Sequence, residues 1–221
     1  MHGSNGMSGL PEAWLRFKAH MWLKPMCFIA YLFAFMAVYF LLLRHPLFPV
    51  TLMPRTALDR VIGFAPWSLG LYVSLWFYIA AVPSMMWDWR EIRPYLAQVT
   101  LLSALGFAIF LLWPTAVPDP ALDAADHPSV AFLKSVDATG NACPSLHVAF
   151  AVLTAIWLIH LLRHLGAPLW LNGLNLLWCC GILYSTLATR QHLALDLYAG
   201  TALGAAVALL GPRPRFLSPN L

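Results

Sequence analysis

Long uncharged apolar stretches dominate this chain and alternate with short polar segments. A helix that crosses the hydrocarbon of a bilayer needs about 20 residues, with a range of roughly 17–25. Four stretches of that length carry no charge at all, and two more carry polar groups at one end only. The pattern therefore predicts six transmembrane helices, at residues 25–43, 67–87, 95–117, 145–162, 168–189 and 192–210.

Six such helices predict an all-α fold, a polytopic membrane protein in a single helical bundle. We expect residues 1–24 to form a cytoplasmic N-terminal segment, residues 25–211 the membrane domain and residues 212–221 a cytoplasmic tail. Residues 1–6 are expected to be an added sequence, because a second methionine, Met7, follows them.

Composition supports a place in lipid, since only 10% of the residues are charged and 61% are hydrophobic. A soluble domain carries about 25% charged residues. The net charge of +4 does not indicate nucleic-acid binding, because the basic residues are scattered over short loops. The four cysteines lack the spacing of a metal site. Cys143 is either a packing residue, which we favour, or a reactive thiol.

The basic residues also predict an orientation. An even number of spans places both ends of the chain on one side, and that side holds eight of the thirteen lysines and arginines. The positive-inside rule then makes it the cytoplasm, so the site faces the extracytoplasmic side of the cell membrane, which is the inner membrane in a Gram-negative cell. The eight are Arg16, Lys18, Lys24, Arg90, Arg93, Arg163, Arg213 and Arg215.

Ionisable side chains mark the start of two predicted spans that enter the membrane from this same outer face. One motif is Pro144-Ser145-Leu146-His147, and the other is Gln191-His192-Leu193-Ala194-Leu195-Asp196. Such groups are costly at the edge of an apolar span and tend to indicate a functional site. We therefore expect the two motifs to form one site.

The spacing of His192 and Asp196 places them one turn apart on a helix. A carboxylate that accepts a hydrogen bond from one imidazole nitrogen leaves the other free as a nucleophile, and His147 is suited to protonate a leaving alkoxide. Ser145 and Arg190 are candidates for phosphate binding, with Asn141 and Lys134 as weaker ones. The alternatives are structural: a helix cap for Ser145, a cap or ion pair for Asp196 and an interfacial anchor for Arg190.

Segment 141–150, around Pro144-Ser145-Leu146-His147, resembles the second signature of the type 2 phosphatidic acid phosphatase superfamily. Ser185-Thr186, Arg190-Gln191-His192, Asp196 and Ala199-Gly200 resemble the third. The resemblance covers residues 64 to 204. It implies a core similar to vanadium haloperoxidase and cleavage of a lipid phosphoester without metal or other cofactor. By the same resemblance, His192 is the nucleophile, Asp196 orients it, His147 is the general acid, and Ser145 and Arg190 contact phosphate.

The chain looks closest to the inositol phosphorylceramide synthase-like branch, because leucine separates Ser145 from His147 and glutamine precedes His192. Pro66-Trp67 and Tyr72 are weaker matches to that branch. The first signature is incomplete: Arg93-Pro94 is present, but Met86 stands where the family has a lysine.

Three functions are open. A phosphatase would release phosphate from a lipid phosphate, whereas a phosphotransferase would pass the phosphate-containing group to another hydroxyl. A non-enzymatic membrane protein would keep the motifs without turnover. Free phosphate measured against phosphorylated lipid separates the first two. The expected partners are a lipid phosphate and membrane lipids, not nucleic acid, and the sequence predicts no oligomeric state.

Overall fold

A computed structural model describes residues 9–118, 128 and 140–217, and most of them are helical. Within these residues the structure has nine α-helices with assigned bounds, numbered here in chain order. They are α1 (Gly9–Lys18), α2 (Leu23–Arg44), α3 (Ala57–Val61), α4 (Leu69–Val73), α5 (Leu75–Ser84), α6 (Trp89–Leu112), α7 (Leu146–His164), α8 (Leu169–Ala188) and α9 (Ala194–Leu210).

Five helical segments of the described chain are long and apolar enough to cross a membrane. They are α2, Pro66–Ser84, α6, α7 and α8. The last predicted span corresponds to α9, which is apolar but has only 17 residues. This length is at the lower limit for a span, so composition and length establish five candidate spans rather than six.

The second predicted span, at residues 67–87, is not one continuous helix. It consists of a 3₁₀ turn at Pro66–Ser68, then α4, then α5, which begins after Ser74 and ends at Ser84. The Ser74 hydroxyl donates to the Leu71 carbonyl at 2.6 Å, where the segment breaks. Serine hydroxyls compete with the helical ladder in this way, which apolar length alone does not reveal.

The third predicted span begins earlier than residue 95. Asp88 caps α6, because its Oδ1 accepts hydrogen bonds from the backbone N–H groups of Arg90 at 2.8 Å and Glu91 at 3.1 Å. Pro94 therefore lies inside the helix instead of marking its start. An aspartate before a helix satisfies the unpaired first N–H groups, and this determines the boundary here.

Two short strands join the loops at one end of the bundle, an addition to the predicted all-α fold. Strand β1 (Thr51–Leu52) follows α2 and pairs in parallel with β2 (Thr115–Ala116), which follows α6. Ala116 also forms a bridge with Gly140, just before the first motif. The segment that precedes the first motif is thereby bonded to the loops that follow two spanning helices.

Helix α7 is central, with α9, α8 and α5 packed around it. Its Trp157 is 1% exposed and donates from Nε1 to Oε1 of Gln98 on α6 at 2.8 Å, so a polar pair lies inside the core. Large apolar side chains cover the outside of α2 and α8 instead, among them Phe33, Leu41 and Leu177. This distribution is typical of helices that face lipid.

A buried ion pair closes the opposite end of the bundle. Arg16 of α1 and Glu91 of α6 are both fully buried and lie 2.8 Å apart. Glu91 also accepts from the backbone N–H of Leu217 at 2.5 Å, and Arg16 donates to Nε2 of His164 at 3.2 Å. The first described helix, the end of α7 and the last described residues therefore meet at one point.

Candidate active site

Two glycines allow α9 to approach α7 backbone to backbone. A Cβ added at Gly200 would collide with the Ser145 carbonyl oxygen and lie 3.1 Å from the Val148 Cβ, and one added at Gly204 would collide with the Ala149 carbonyl oxygen. Small residues four apart are the usual means of close packing between membrane helices. This contact draws the starts of α7 and α9 together.

The two motifs are joined directly through their backbones. The N–H of Ser145 donates to the carbonyl oxygen of Asp196 at 3.0 Å. Both residues are fully buried. The expectation that the motifs share one end of the bundle therefore has a specific structural basis, because the cap residue of α7 is bonded to the first turn of α9.

His192 does not lie on a helix, contrary to the expectation that it shares a helix face with Asp196. Helix α9 begins at Ala194, and His192 lies two residues before it. The backbone N–H of His192 donates to the Thr186 carbonyl at 3.1 Å. Asp196 occupies the first turn and accepts from the backbone N–H of Leu193 at 2.8 Å. The Asp196 carboxylate thus caps the start of α9. The helix is therefore shorter than the span predicted at residues 192–210.

The imidazole of His192 nevertheless faces this carboxylate. Its Nδ1 lies 3.8 Å from Oδ2 of Asp196, which is within ion-pair distance but longer than a hydrogen bond. Within the described part of the chain, neither His192 Nδ1 nor Asp196 Oδ1 has a hydrogen-bond partner, although both are buried. Buried polar atoms are normally paired, so this pair has unused bonding capacity.

His147 is held by Tyr72 of α4. Its Nε2 lies 2.9 Å from the Tyr72 carbonyl oxygen, and the two rings stack with centroids 4.0 Å apart and planes 12° apart. A carbonyl only accepts, so the bond requires the proton on Nε2 and leaves Nδ1 for other contacts. His147 is also close enough to His192 for the two rings to interact electrostatically.

Ser145 is the cap of α7, which was the structural alternative for this residue. Its Oγ accepts from the backbone N–H of Val148 at 3.3 Å. Pro144 therefore precedes the cap and is not the first helical residue. The neighbouring Cys143 donates its backbone N–H to Oγ1 of Thr115 at 2.8 Å, which fixes the motif to β2.

Cys143 is buried, and its surroundings disfavour a thiolate. Burial, together with the negative charge of nearby Asp196, raises the pKa of the Cys143 thiol to about 11. The thiol is therefore protonated near neutral pH, in keeping with a packing role.

Arg190 and Asp59 form a support for this region that the sequence did not reveal. Arg190 has a positive φ of 61° and donates from Nη1 to the Asp59 carbonyl at 2.9 Å, while its buried Nε has no partner among the described residues. The Asp59 carboxylate accepts from the N–H of Ala194 at 2.8 Å. The Thr56-x-x-Asp59 spacing before α3 is a capping pattern, but only the fold brings it to α9.

Of the two weaker candidates, the structure describes only Asn141, which lies just before the first motif. Asn141 is buried and uses its side-chain amide to donate to the Tyr39 carbonyl of α2 at 3.2 Å. Lys134 lies outside the described residues. Arg93, from the incomplete first signature, is on the first turns of α6, at the end closed by Arg16 and Glu91.

No three histidine, cysteine, aspartate or glutamate side chains are grouped to hold a metal ion within residues 9–118, 128 and 140–217. The candidate site brings two histidines and a carboxylate together at one end of a multi-pass bundle, and histidine is a residue type that serves as a nucleophile in covalent catalysis.

The family model of the PAP2 superfamily matches residues 93–217, more than half of the chain, and the chain belongs to this superfamily. PAP2 enzymes are metal-independent membrane phosphatases and phosphotransferases. No curated protein and no solved structure gave a significant match. The match includes α6 from residue 93, α7 to α9 and both motifs, whereas Pro66-Trp67 and Tyr72, which carry part of the branch resemblance, precede it.

Proposed function

We propose that this protein cleaves the phosphoester bond of a lipid phosphate through a phosphohistidine formed on His192. The observation that carries the proposal is the approach of His192 Nδ1 to Asp196 Oδ2 at 3.8 Å, beside His147 and at one end of a membrane bundle. A carboxylate on Nδ1 directs the Nε2 lone pair towards substrate, as in other histidine sites with an orienting acid.

In the first step, Nε2 of His192 attacks phosphorus as the bond from phosphorus to the lipid oxygen breaks. The leaving alkoxide takes a proton from Nδ1 of the His147 imidazolium, because Nε2 of that ring is held by the Tyr72 carbonyl. An anionic phosphate beside the ring favours its protonated form. In the second step, water attacks the phosphohistidine and gives its proton to His147, which releases phosphate.

The same proposal assigns the phosphate contacts to Ser145 and Arg190, with Asn141 and Lys134 as weaker contacts. The buried Nε of Arg190, which has no hydrogen-bond partner within the described part of the chain, supports this assignment, since a guanidinium N–H is a strong donor to a phosphate oxygen. Ser145 lies at the first turn of α7, where free backbone N–H groups favour an anion.

Transfer to a second lipid is the alternative, and the burial of the site favours it. His192 is only 9% exposed, and Asp196 and Ser145 are fully buried. Exclusion of water from the nucleophile protects the phosphohistidine from hydrolysis, so that a lipid hydroxyl can attack it instead. Under this alternative, Leu146 and Gln191 support a relationship to the inositol phosphorylceramide synthase-like branch.

We infer that α9 also crosses the membrane, which gives six spans. Arg16 and Leu217 both bind Glu91, so both ends of the described chain lie at one face of the membrane. This supports an even number of spans. With the excess of basic residues on that side, the ends are cytoplasmic and the site faces outward, in the cell membrane or the inner membrane of a Gram-negative cell. Reporter fusions after residues 44, 113 and 217 test this orientation.

The decisive experiment incubates the purified protein with a panel of lipid phosphates, with and without lipid acceptors. Free phosphate and phosphorylated lipid are then measured by thin-layer chromatography. We expect His192→Ala to reduce turnover by up to about 10⁶-fold, whereas His160→Ala, an exposed histidine on α7, leaves it unchanged.

The mechanism predicts two further results in this assay. Activity should persist in EDTA, and vanadate, which mimics a phosphate in transfer, should inhibit it. Loss of activity in EDTA with recovery on addition of zinc or magnesium would overturn the histidine-nucleophile mechanism.

A further inference from the structure

A cavity of about 600 Å³ lies between α2, α5 and α6, away from the site described above. Its wall is almost entirely aliphatic and aromatic side chains, and the acidic, basic and histidine side chains among its lining residues, His20, Lys24 and Asp88, lie at one end. The apolar part includes Phe28, Tyr31, Phe35, Trp76, Ile79 and Val99. Because these helices are candidate spans, the cavity lies at the depth of the hydrocarbon, where lipid replaces water as the solvent.

The polar end of the cavity lies far from the motifs. It includes Lys24 and Asp88, at the face closed by Arg16 and Glu91. The opposite end reaches Phe150, three residues after His147, and Trp76, four residues after Tyr72. The cavity therefore runs from the face opposite the site to a point one turn from the His147–Tyr72 pair.

Its length corresponds to one leaflet. The eleven steps from Lys24 to Phe35 on α2 span roughly 16 Å at 1.5 Å per residue. Half of a hydrocarbon core of about 30 Å is about 15 Å. We propose that the cavity binds one acyl chain of a phospholipid from the leaflet opposite the site, with the lipid phosphate at Lys24 and its amine at Asp88.

The charges at the polar end fit a headgroup with a phosphate and an amine. An ammonium has three N–H donors. Lys24 Nζ uses two of them on the carbonyls of Arg16 at 2.8 Å and Ser84 at 2.9 Å, which leaves one for a phosphate oxygen. Asp88 supplies a carboxylate on the same rim. Phosphatidylethanolamine carries both complementary groups.

The placement of these charges argues against the tail of the substrate as the occupant. A substrate whose phosphate is at His192 would enter the cavity from the opposite end and leave its terminal methyl group against Lys24 and Asp88. Apolar atoms in contact with charged groups displace their solvation without replacing it. A lipid that enters with its headgroup at the Lys24 end avoids this cost.

The test uses photoactivatable phosphatidylethanolamine, with a diazirine in one acyl chain, in vesicles that contain the full chain. We expect cross-links to concentrate on Tyr31, Ile79 and Ile92 when the labelled peptides are mapped by mass spectrometry. The same photolabel on diacylglycerol, which has no phosphate, should give at least threefold fewer of them.

Ala30→Trp places a large ring at the cavity wall and should reduce these cross-links at least fivefold. Ala34→Trp is the matched control, because Ala34 is exposed on the same helix but does not line the cavity, and its cross-links should stay within twofold of wild type. Thermal unfolding establishes that both variants fold.

Two results would overturn the proposal. One is labelling spread evenly over the outer faces of the spans and unchanged in Ala30→Trp. The other is displacement of the label by an excess of a lipid phosphate that the protein turns over, because this would assign the cavity to the substrate. The cross-linking is also performed on His192→Ala, so its outcome does not depend on the proposed catalytic activity.

Discussion

Asp196 combines two tasks in one carboxylate, and a single substitution separates them. In Asp196→Asn the side-chain oxygen can still accept from the N–H of Leu193, so α9 keeps its cap. The negative charge beside His192 Nδ1 is lost, and with it the preferred tautomer. We expect kcat to fall about 10⁴-fold with little change in melting temperature. Activity within tenfold of wild type would contradict the proposed role.

Cys143 provides a second test at the scale of one residue. With a pKa of about 11, roughly one thiol in a thousand is ionised at pH 8. We expect N-ethylmaleimide to leave Cys143 unlabelled by mass spectrometry and the activity unchanged. A sample unfolded in detergent and urea serves as the control, in which all four cysteines react. Rapid labelling of Cys143 in the folded protein would be inconsistent with its burial.

The site residues themselves were recognisable from the sequence because histidine and aspartate are rare at the edge of apolar spans. Their local conformation was not. Spacing alone placed His192 on a helix, whereas α9 begins only at Ala194, where Asp196 in the first turn accepts from the N–H of Leu193. The hydrogen bond of His147 to Tyr72 could not be predicted either, because its acceptor is a backbone carbonyl and every residue type has one.

At the level of helices, the approach of α9 to α7 depends on Gly204. In Gly204→Ala, the added Cβ meets the Ala149 carbonyl oxygen, which cannot move without shifting α7. We expect a loss of about 1–3 kcal/mol in stability, as for other overpacked contacts, and lower activity. Circular dichroism and the lipid phosphate assay measure the two effects.

Gly173→Ala is the matched control for this variant. Gly173 lies within α8, and nothing is within 4 Å of an added Cβ there. Alanine is favoured over glycine in a helix by about 1 kcal/mol, so this variant should be as stable as wild type or slightly more so. Equal behaviour of the two variants would show that close packing at Gly204 does not matter.

The start of α9 offers a further test through Asp59, which accepts from the N–H of Ala194. Asp59→Ala removes this cap, for which a cost of about 1 kcal/mol is typical. Asp59→Ala also removes the Thr56 hydrogen bonds that fix the start of α3, where the backbone carbonyl of residue 59 accepts from Arg190, so we also expect a lower kcat in the phosphate-release assay. Asp59→Asn retains an acceptor oxygen and should recover much of the loss. A fall in stability without a fall in kcat would limit Asp59 to a structural role.

Helix positions were predicted well where apolar length decides them and poorly where side-chain caps do. The boundaries of α2, α7 and α8 lie within a few residues of the predicted ones. The break at Ser74 and the early start of α6 at Asp88 follow instead from local hydrogen bonds. The Gly200-x-x-x-Gly204 spacing was visible in the sequence and indicates which face of α9 packs closely, but only the structure shows that its partner is α7.

In the molecule as a whole, the pair of Arg16 and Glu91 is expected to be a main determinant of stability. Both side chains are fully buried, so removal of one leaves an uncompensated charge. We expect Arg16→Ala or Glu91→Ala to cost about 3–5 kcal/mol, measured by thermal unfolding in detergent. The double variant Arg16→Met/Glu91→Leu should lose less than either single variant. Single variants with wild-type stability would contradict this expectation.

The arrangement of the whole bundle could be predicted only in part. Apolar length predicted the five candidate spans of the described chain, and the two motifs meet at one end of the bundle as expected, whereas a sixth span stays a prediction. The fully buried Arg16 was not foreseeable, because a lone arginine in a polar segment normally reads as a cytoplasmic anchor. Its partners, Glu91 and Leu217, are distant in sequence, and only the packed bundle brings them together.

Arg16 and Leu217 both bind the Glu91 carboxylate, so the first described helix and the last described residue lie side by side. A short glycine–serine linker between the two ends, with a new start opened at Gly166 between α7 and α8, would give a circular permutant that retains every contact between helices. Such a permutant would present its new ends beside His164, on the face away from the two motifs.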